Sequence, residues 1–101
     1  MAAILINVEV GDFNTWLKVF EGNDKMRSDA GVKSATAWRA ADNPNNIFVL
    51  VEHDDLNKIR EFSMSEPLRQ ALRNAGAKGT PKITVLEYVA RREPKQGAAF
   101  H

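Results

Sequence analysis

Cysteine is absent from the 101-residue sequence, and histidine occurs only twice, at His53 and His101. Without cysteine, disulfide bonds, thiolate nucleophiles and cysteine-ligated zinc or iron–sulfur sites are excluded. Two histidines that lie far apart offer no metal-ligand spacing, so no metal is expected. The lack of cysteine also fits a reducing compartment, and the cytoplasm is the expected location.

Long apolar runs and a charge excess of either sign are missing as well. No run approaches the ~20 apolar residues of a membrane-spanning helix, and the N-terminus reaches Asn7 and Glu9 too early for a signal peptide. The net charge of +1 creates no global field that would attract nucleic acid or an anionic membrane. Neither nucleic acid nor a membrane is therefore an expected partner.

The most informative feature that is present is the run Ile-Phe-Val-Leu-Val at residues 47–51. Successive side chains of a strand point to opposite faces, so a strand with this pattern has to be covered on both sides. The rest of the chain supplies helices for one face only. A second copy of the molecule is the expected cover for the other face. The alternative is a monomer whose open sheet face binds a ligand.

Hydrophobic periodicity and capping residues predict the remaining elements. They are, in order, a strand over residues 4–10, a helix from 13 to 30 with a possible break at Gly22-Asn23, a strand over 32–40, a turn over 42–46, the strand containing 47–51, a short helix carrying Leu56, Ile59 and Phe62, a second short helix over 66–75, and a strand over 81–90.

This order, β-α-β-β-α-β, predicts an α+β fold of the ferredoxin-like type. Right-handed crossovers place both helical segments on one face of a four-stranded antiparallel sheet, with the first and third strands at its centre. We expect the other face to form a homodimer, closing an α/β barrel. Residues 1–90 are expected to form the single domain and residues 91–101 a polar tail. Docking of its apolar end, residues 98–100, on a partner subunit is the less favoured alternative to a mobile tail.

Three polar side chains are candidates for catalysis: Asn7, His53 and Tyr88. Asn7 interrupts a central strand, where a buried amide has to be hydrogen-bonded or lie in a wet cavity. His53 ends the other central strand, and histidine is the residue type that gains and loses protons near neutral pH. The structural alternatives are an interface position for Asn7, an exposed strand end for His53 and plain packing for Tyr88.

Four aromatic side chains are candidates for binding a flat ligand: Trp38, Phe62, Trp16 and Phe20. Trp38 lies on a strand and offers a large ring with one polar atom. Trp16 and Phe20 belong to the apolar stripe of the first helix, and Phe62 to that of a later helix, so all three are expected to face the sheet. The plain alternative is that these rings only fill the core.

Two other groups of residues have weaker functional interpretations. The segment Gly-Ala-Lys-Gly-Thr at residues 76–80 resembles a phosphate loop in composition, but it closes a helix and opens a strand, so a connecting turn is the stronger interpretation. Arg69 and Arg73 are one helical turn apart and could hold an anion. A solvated helix face paired with Glu66 is the stronger interpretation for them.

Two short segments carry a resemblance to a known superfamily. The first reads Val-Leu-Val-Glu-His-Asp-Asp-Leu over residues 49–56, and the second reads Phe-Ser-Met-Ser-Glu-Pro-Leu over residues 62–68. They resemble the dimeric α/β-barrel superfamily and look most like its antibiotic-biosynthesis-monooxygenase branch. In that branch a central strand ends in Glu and a ring residue, and an acidic pair caps the next helix.

That superfamily includes cofactor-free oxygenases of polycyclic phenols, haem-degrading enzymes, polyketide cyclases and isomerases. The resemblance implies a pocket between sheet and helices that is lined by a first-strand Asn, which Asn7 matches in position. Haem-degrading members carry an axial His on the second helical segment, and residues 68–76 contain none, so haem is not expected. His53 stands where relatives often have Trp, and Phe62 where many have His.

The expected function is therefore that of a small homodimeric enzyme that acts without a cofactor on an aromatic or polyketide-like substrate, as a monooxygenase or as a cyclase or isomerase. The substrate would lie flat against Trp38 and Phe62, with Asn7 stabilising its phenolate or enolate and His53 or Tyr88 moving protons. The alternative is a non-catalytic binding or stress-associated dimer, in which Asn7 and His53 lie on opposite faces of the sheet.

Overall fold

The computed structural model describes residues 1–95, which form four strands and four helices. The apolar end of the tail, residues 98–100, lies outside this part. In chain order the elements are β1 (Ala2–Val10), α1 (Phe13–Gly22), α2 (Asp24–Asp29), β2 (Ser34–Ala40), β3 (Asn43–His53), α3 (Leu56–Ser63), α4 (Glu66–Asn74) and β4 (Ala77–Glu87).

The strands pair antiparallel in the order β2-β3-β1-β4. The predicted ferredoxin-like arrangement is thereby confirmed, with β1 and β3 at the centre of the sheet. Among the described residues, no helix is long and apolar enough to cross a membrane.

The register divides the side chains of the sheet between two faces. In antiparallel pairs, opposite residues share a face, and Ile6 lies opposite Val49 while Asn7 lies opposite Phe48. The face covered by helices holds the buried strand residues Ile4, Ile6, Val8, Ile47, Val49 and Val51. On the other face Phe48 and Leu50 are only half-buried. The run 47–51 thus has one face covered within the chain and one open face, as expected.

The helix predicted over residues 13–30 is two helices, α1 and α2, divided at Asn23. The Asn23 side-chain amide donates to the Val19 carbonyl at 2.9 Å, and the Arg27 guanidinium donates to the Phe20 carbonyl. The last carbonyls of a helix have no partner within it, so these side chains satisfy groups that the break leaves free. The possible break predicted at Gly22-Asn23 is confirmed.

Helix starts follow the predicted capping residues. The Asp12 carboxylate accepts hydrogen bonds from the hydroxyl and the backbone N–H of Thr15, which lower the pKa of Asp12. The Asp55 carboxylate accepts the backbone N–H groups of Lys58 and Asn57, which lower the pKa of Asp55 in the same way.

Three strands begin earlier than the sequence predicts, and β1 begins at Ala2 instead of residue 4. The turn expected over residues 42–46 is shorter, because β3 already begins at Asn43. The connection expected at residues 76–80 is also part of a strand, because β4 begins at Ala77. Glu9 of β1 pairs with Lys78 and Asn7 with Lys82, so Val8 stands opposite an irregularity at residues 79–81. Polar and breaker-rich composition was misleading here, since a bulge accommodates glycine and proline within a ladder.

Candidate functional site

A small, mostly apolar cavity lies between the sheet and the helices. Ile6 and Val49 line it from the sheet, and Trp16, Phe20 and Phe62 line it from the helices. Its volume is about 50 Å³, which is room for a few water molecules rather than for an aromatic ring. Three of the four predicted aromatic binding residues therefore meet at one place.

Three aromatic residues of α1 stack on one another beside the cavity. The rings of Phe13 and Trp16 are stacked with centroids 6.0 Å apart, and those of Trp16 and Phe20 with centroids 5.0 Å apart. Residues three and four positions apart lie on one side of a helix, so the three rings form a continuous surface. Trp16, at its centre, is buried.

A larger groove lies immediately outside the cavity, between α2 and the α3–α4 corner. It has a volume of about 770 Å³, and Asn23, Met26 and Phe62 line both spaces. Met26 and Phe62 therefore form the partition between groove and cavity. Methionine changes rotamer easily, and a merged space falls within the ~300–1,000 Å³ of ordinary ligand pockets. Charged side chains, Lys25, Asp29, Lys58 and Glu61, surround the outer groove.

His53 is buried, with 5% of its surface exposed, and both of its ring nitrogens have partners. The backbone N–H of Asp55 donates to Nδ1 at 2.9 Å, so Nδ1 carries no proton. Nε2 then carries the proton and donates to the Ala30 carbonyl at 3.0 Å. His53 lines neither the cavity nor the groove, but Ala30 lines the groove. His53 thus ties the end of α2 to β3 and to the start of α3.

Gly31 is packed against the His53 ring. Its φ is +79°, and a Cβ at this position would lie 2.9 Å from Nε2 of His53. Any side chain at residue 31 would therefore be unfavourable for two reasons, the left-handed backbone conformation and the contact with the His53 ring.

Asn7 faces the open side of the sheet. Its side-chain amide donates to Oδ1 of Asn46 at 2.8 Å and to the Ile47 carbonyl at 3.0 Å. It lies opposite Phe48 in the register, whereas His53 is paired with Ala2 on the helix side. Asn7 and His53 are consequently on opposite faces of the sheet. The hydrogen bonds of Asn7 join β1 to β3, and those of His53 join β3 to Ala30 and Asp55.

The two remaining predicted residues are also outside the cavity. Trp38 lies opposite Phe48 on the open face of the sheet and is 67% exposed. Tyr88 follows β4, is 56% exposed, and its backbone N–H donates to the Met1 carbonyl. A ligand held within one chain cannot touch both Trp38 and Phe62, because the sheet lies between them. The expected arrangement of substrate between these two rings is not found.

Arg27, Asn23 and Met26 also line the cavity, although none of them is among the predicted site residues. A signal existed for Arg27, which follows Phe20 by seven residues, two helical turns on the same side of a helix. The break at Asn23 preserves this neighbourhood, since the Arg27 guanidinium lies 4.5 Å from the Phe20 ring centroid. Within residues 1–95, no group of three or more His, Cys, Asp or Glu is placed to hold a metal ion.

No protein-family model matches the sequence, and no curated protein matches it. Solved structures do. An antibiotic biosynthesis monooxygenase from Bordetella bronchiseptica superposes with a TM-score of 0.74 at 12% identity, over 88% of this chain and 97% of that one. One from Deinococcus radiodurans gives 0.68 at 13% identity, over 94% and 99%. The chain has the fold of the antibiotic biosynthesis monooxygenases.

These structures share the ferredoxin-like fold that the two sequence segments predict, and that prediction of the fold is confirmed. Another structure with the fold is SnoaB, a cofactor-independent oxygenase from Streptomyces nogalater. It superposes with a TM-score of 0.68 at 20% identity, over 91% of this chain and 94% of SnoaB. At these identities the likeness concerns the fold.

Proposed function

We propose that the protein is a homodimeric, cofactor-independent enzyme that acts on a small aromatic or polyketide-like molecule held between the sheet and the helices. The observation that carries this proposal is the aromatic cavity walled by Trp16, Phe20 and Phe62, which adjoins the outer groove and shares Met26 and Phe62 with it. The likeness of the fold to a cofactor-independent oxygenase supports the reaction class.

In the oxygenase version, the substrate phenolate or enolate itself reduces O₂. The anion gives one electron to O₂, the two radicals combine at a ring carbon, and the resulting hydroperoxide loses water to leave a carbonyl. One phenol and one O₂ thus give one quinone and one water. The chain has to bind the anion and exclude bulk water, for which the apolar wall is suited. A cyclase or isomerase would use the same bound anion without O₂.

The residues divide into three roles under this proposal. Trp16, Phe20 and Phe62 bind the substrate rings, and His53 positions the wall of the groove through Ala30. Asn7 keeps its hydrogen bonds to β3 and lies, with Trp38 and Tyr88, away from the cavity. The predicted role of Asn7 in stabilising the phenolate or enolate, and that of His53 or Tyr88 in moving protons, stay predictions.

The open face of the sheet is the proposed homodimer interface. Its central strands present half-buried Leu5, Phe48 and Leu50, and the neighbouring strands add Trp38 and Leu86. Burying a large apolar side chain stabilises an assembly by about 1.5–3 kcal/mol. Phe48 and Leu50 belong to the apolar run 47–51, and on this face of the sheet they remain partly exposed to solvent. The cytoplasmic location stays a prediction from the absence of cysteine.

Oxygen uptake with a panel of phenols, naphthols and anthrones tests the proposal. We expect the wild type to consume O₂ faster than the buffer alone with at least one of these compounds. Met26→Trp places a larger side chain between the groove and the cavity and should reduce that rate at least tenfold. Met64→Trp changes an exposed methionine and should leave the rate unchanged. Absence of both turnover and saturable binding across the panel would refute the proposal.

A non-catalytic binding protein is the second candidate. It is favoured by one observation: Asn7 and His53 lie on opposite faces, and no carboxylate or histidine among the described residues lines the cavity. Saturable binding of a panel compound without oxygen uptake or conversion of that compound would establish this second function.

A further inference from the structure

The lining of the cavity is apolar except at one end. Of the described side chains that line it, only Asn23 and Arg27 are polar, and both lie at the junction between α1 and α2. A pocket with apolar walls and a few convergent polar groups is typical of small-molecule sites, where the polar groups fix the orientation of the ligand. The polar end of this cavity therefore defines which chemical group of a ligand would lie there.

Arg27 is the charged group at that end, and its side chain is only 13% exposed. Its guanidinium lies over the Phe20 ring, and its Nη2 donates to both the Phe20 carbonyl and the Asp24 carboxylate. A guanidinium has five N–H groups, and these two bonds use the two on Nη2. Within residues 1–95 no hydrogen bond involves Nε or Nη1, so three donors remain.

Arg27 adjoins two open spaces. Arg27 lines the cavity, and it also lines a second groove of about 380 Å³ next to β2. The other charged groups of that groove are Glu21, Asp24 and Lys33. Asp24, the ion-pair partner at 2.9 Å, is 89% exposed, so water screens its charge and weakens its hold on Arg27.

Asn23 completes the polar end. One N–H of its amide donates to the Val19 carbonyl, which leaves Oδ1 as a free acceptor among the described contacts. An acceptor beside a cation suits a ligand that presents an anionic oxygen next to a hydroxyl or another donor.

We infer that Arg27 is the residue that recognises the ligand's charge, and that the ligand is an aromatic monoanion, a phenolate or carboxylate, rather than a neutral or cationic compound. This rests on the proposed function, because it assigns the substrate class of the same cavity. In the oxygenase version, Arg27 holds the anion that reduces O₂ and takes no part in the electron transfer itself. The aromatic wall receives the rings, and the guanidinium receives the oxygen anion.

A matched ligand pair tests the assignment: 2-naphthoate, which is an anion, and 2-naphthamide, which has nearly the same shape and no charge. Binding is measured by NMR from the indole N–H signal of Trp16 in a Trp38→Phe background, so that the signal reports the cavity alone. We expect the wild-type site to bind naphthoate at least tenfold more tightly than naphthamide. Arg27→Gln should remove that preference without weakening naphthamide, and Arg27→Lys should restore part of it.

Arg39→Gln is the control, because the Arg39 guanidinium lies 4.4 Å from the Phe13 ring centroid but lines none of these spaces. It should leave both affinities unchanged. An Arg27→Gln variant that weakens both ligands equally, or neither, would overturn the assignment while leaving the cavity as a binding site. A wild type that binds neither ligand would overturn the assignment of an aromatic anion to this cavity, whereas the proposed function is refuted only by the failure of the whole panel of phenols, naphthols and anthrones.

Discussion

Both ring nitrogens of His53 are used by the fold, and this fixes what the residue does. Nδ1 accepts from the Asp55 backbone and Nε2 donates to the Ala30 carbonyl. Neither ring nitrogen is left free to contact a ligand. A histidine committed in this way acts as a positioning residue for the groove wall rather than as a free acid or base.

A double-mutant cycle between His53 and Gly31 tests this role. Gly31→Ala should destabilise the protein by about 1–2 kcal/mol for its left-handed backbone and by more because its Cβ meets Nε2 of His53. His53→Ala should cost about 2–4 kcal/mol through lost hydrogen bonds and packing. Urea unfolding should show the double variant to be clearly more stable than the sum of the two losses, because the clash is absent.

Gly76→Ala is the control for the cost of placing alanine in a left-handed backbone conformation. Gly76 has a φ of +86°, but nothing lies within 4 Å of a Cβ there. Its cost should therefore be independent of His53→Ala. Strict additivity for Gly31 and His53 as well would contradict the tight packing of the two residues.

At the scale of elements, the carboxylates that cap helix N-termini make the stability of the fold depend on pH in the acid range. The pKa of Asp55 is lowered from its ordinary value of 3.8, chiefly by the backbone N–H of Lys58. Because the folded-state pKa lies below the unfolded-state value, the charged cap contributes stability that is complete above the ordinary pKa. That contribution is lost as the pH falls through the folded-state pKa.

We therefore expect Asp55→Asn, which keeps a capping side chain but cannot titrate, to flatten the fall in stability below about pH 4. Urea unfolding at a series of pH values from 6 to 2 measures this slope. Asp42→Asn, in the turn between β2 and β3, is the matched change of charge outside any helix cap and should leave the slope as in the wild type. An unchanged slope for Asp55→Asn would contradict the assigned cause of the pKa shift.

At the scale of the whole molecule, the sheet has one face covered by helices and one that is open. Leu50 lies at the middle of the open face, on central strand β3 and opposite Leu5 of β1. Helices are absent from this side among residues 1–95, so a second copy remains the cover that we propose for it.

Light scattering after size exclusion should give twice the 11.3 kDa chain mass for the wild type. Leu50→Lys, which places a charge at the centre of the open face, should give the single-chain mass at micromolar concentration while retaining the native circular dichroism. Gln70→Lys, on the exposed side of α4, should remain a dimer. A wild type that is monomeric at all concentrations would refute the proposed interface.

The sequence by itself determined the order of the elements, the start of the first helix at residue 13 and of the last at residue 66, and the need for two covers over residues 47–51. These are local properties, because periodicity and capping depend on neighbours along the chain. The rings Trp16, Phe20 and Phe62 were placed correctly for the same reason, since helical spacing fixes their common side.

Only the tertiary structure decided which face each strand residue occupies. Alternation assigns Asn7 and Ile6 to opposite faces, but pairing between distant strands determines which of those faces the helices cover. The bulge opposite Val8 and the position of Arg27 at the cavity likewise depend on contacts between distant residues. The candidate site therefore lies around Trp16 and Arg27, because long-range packing rather than local pattern brings side chains from α1, α2, α3 and the sheet together.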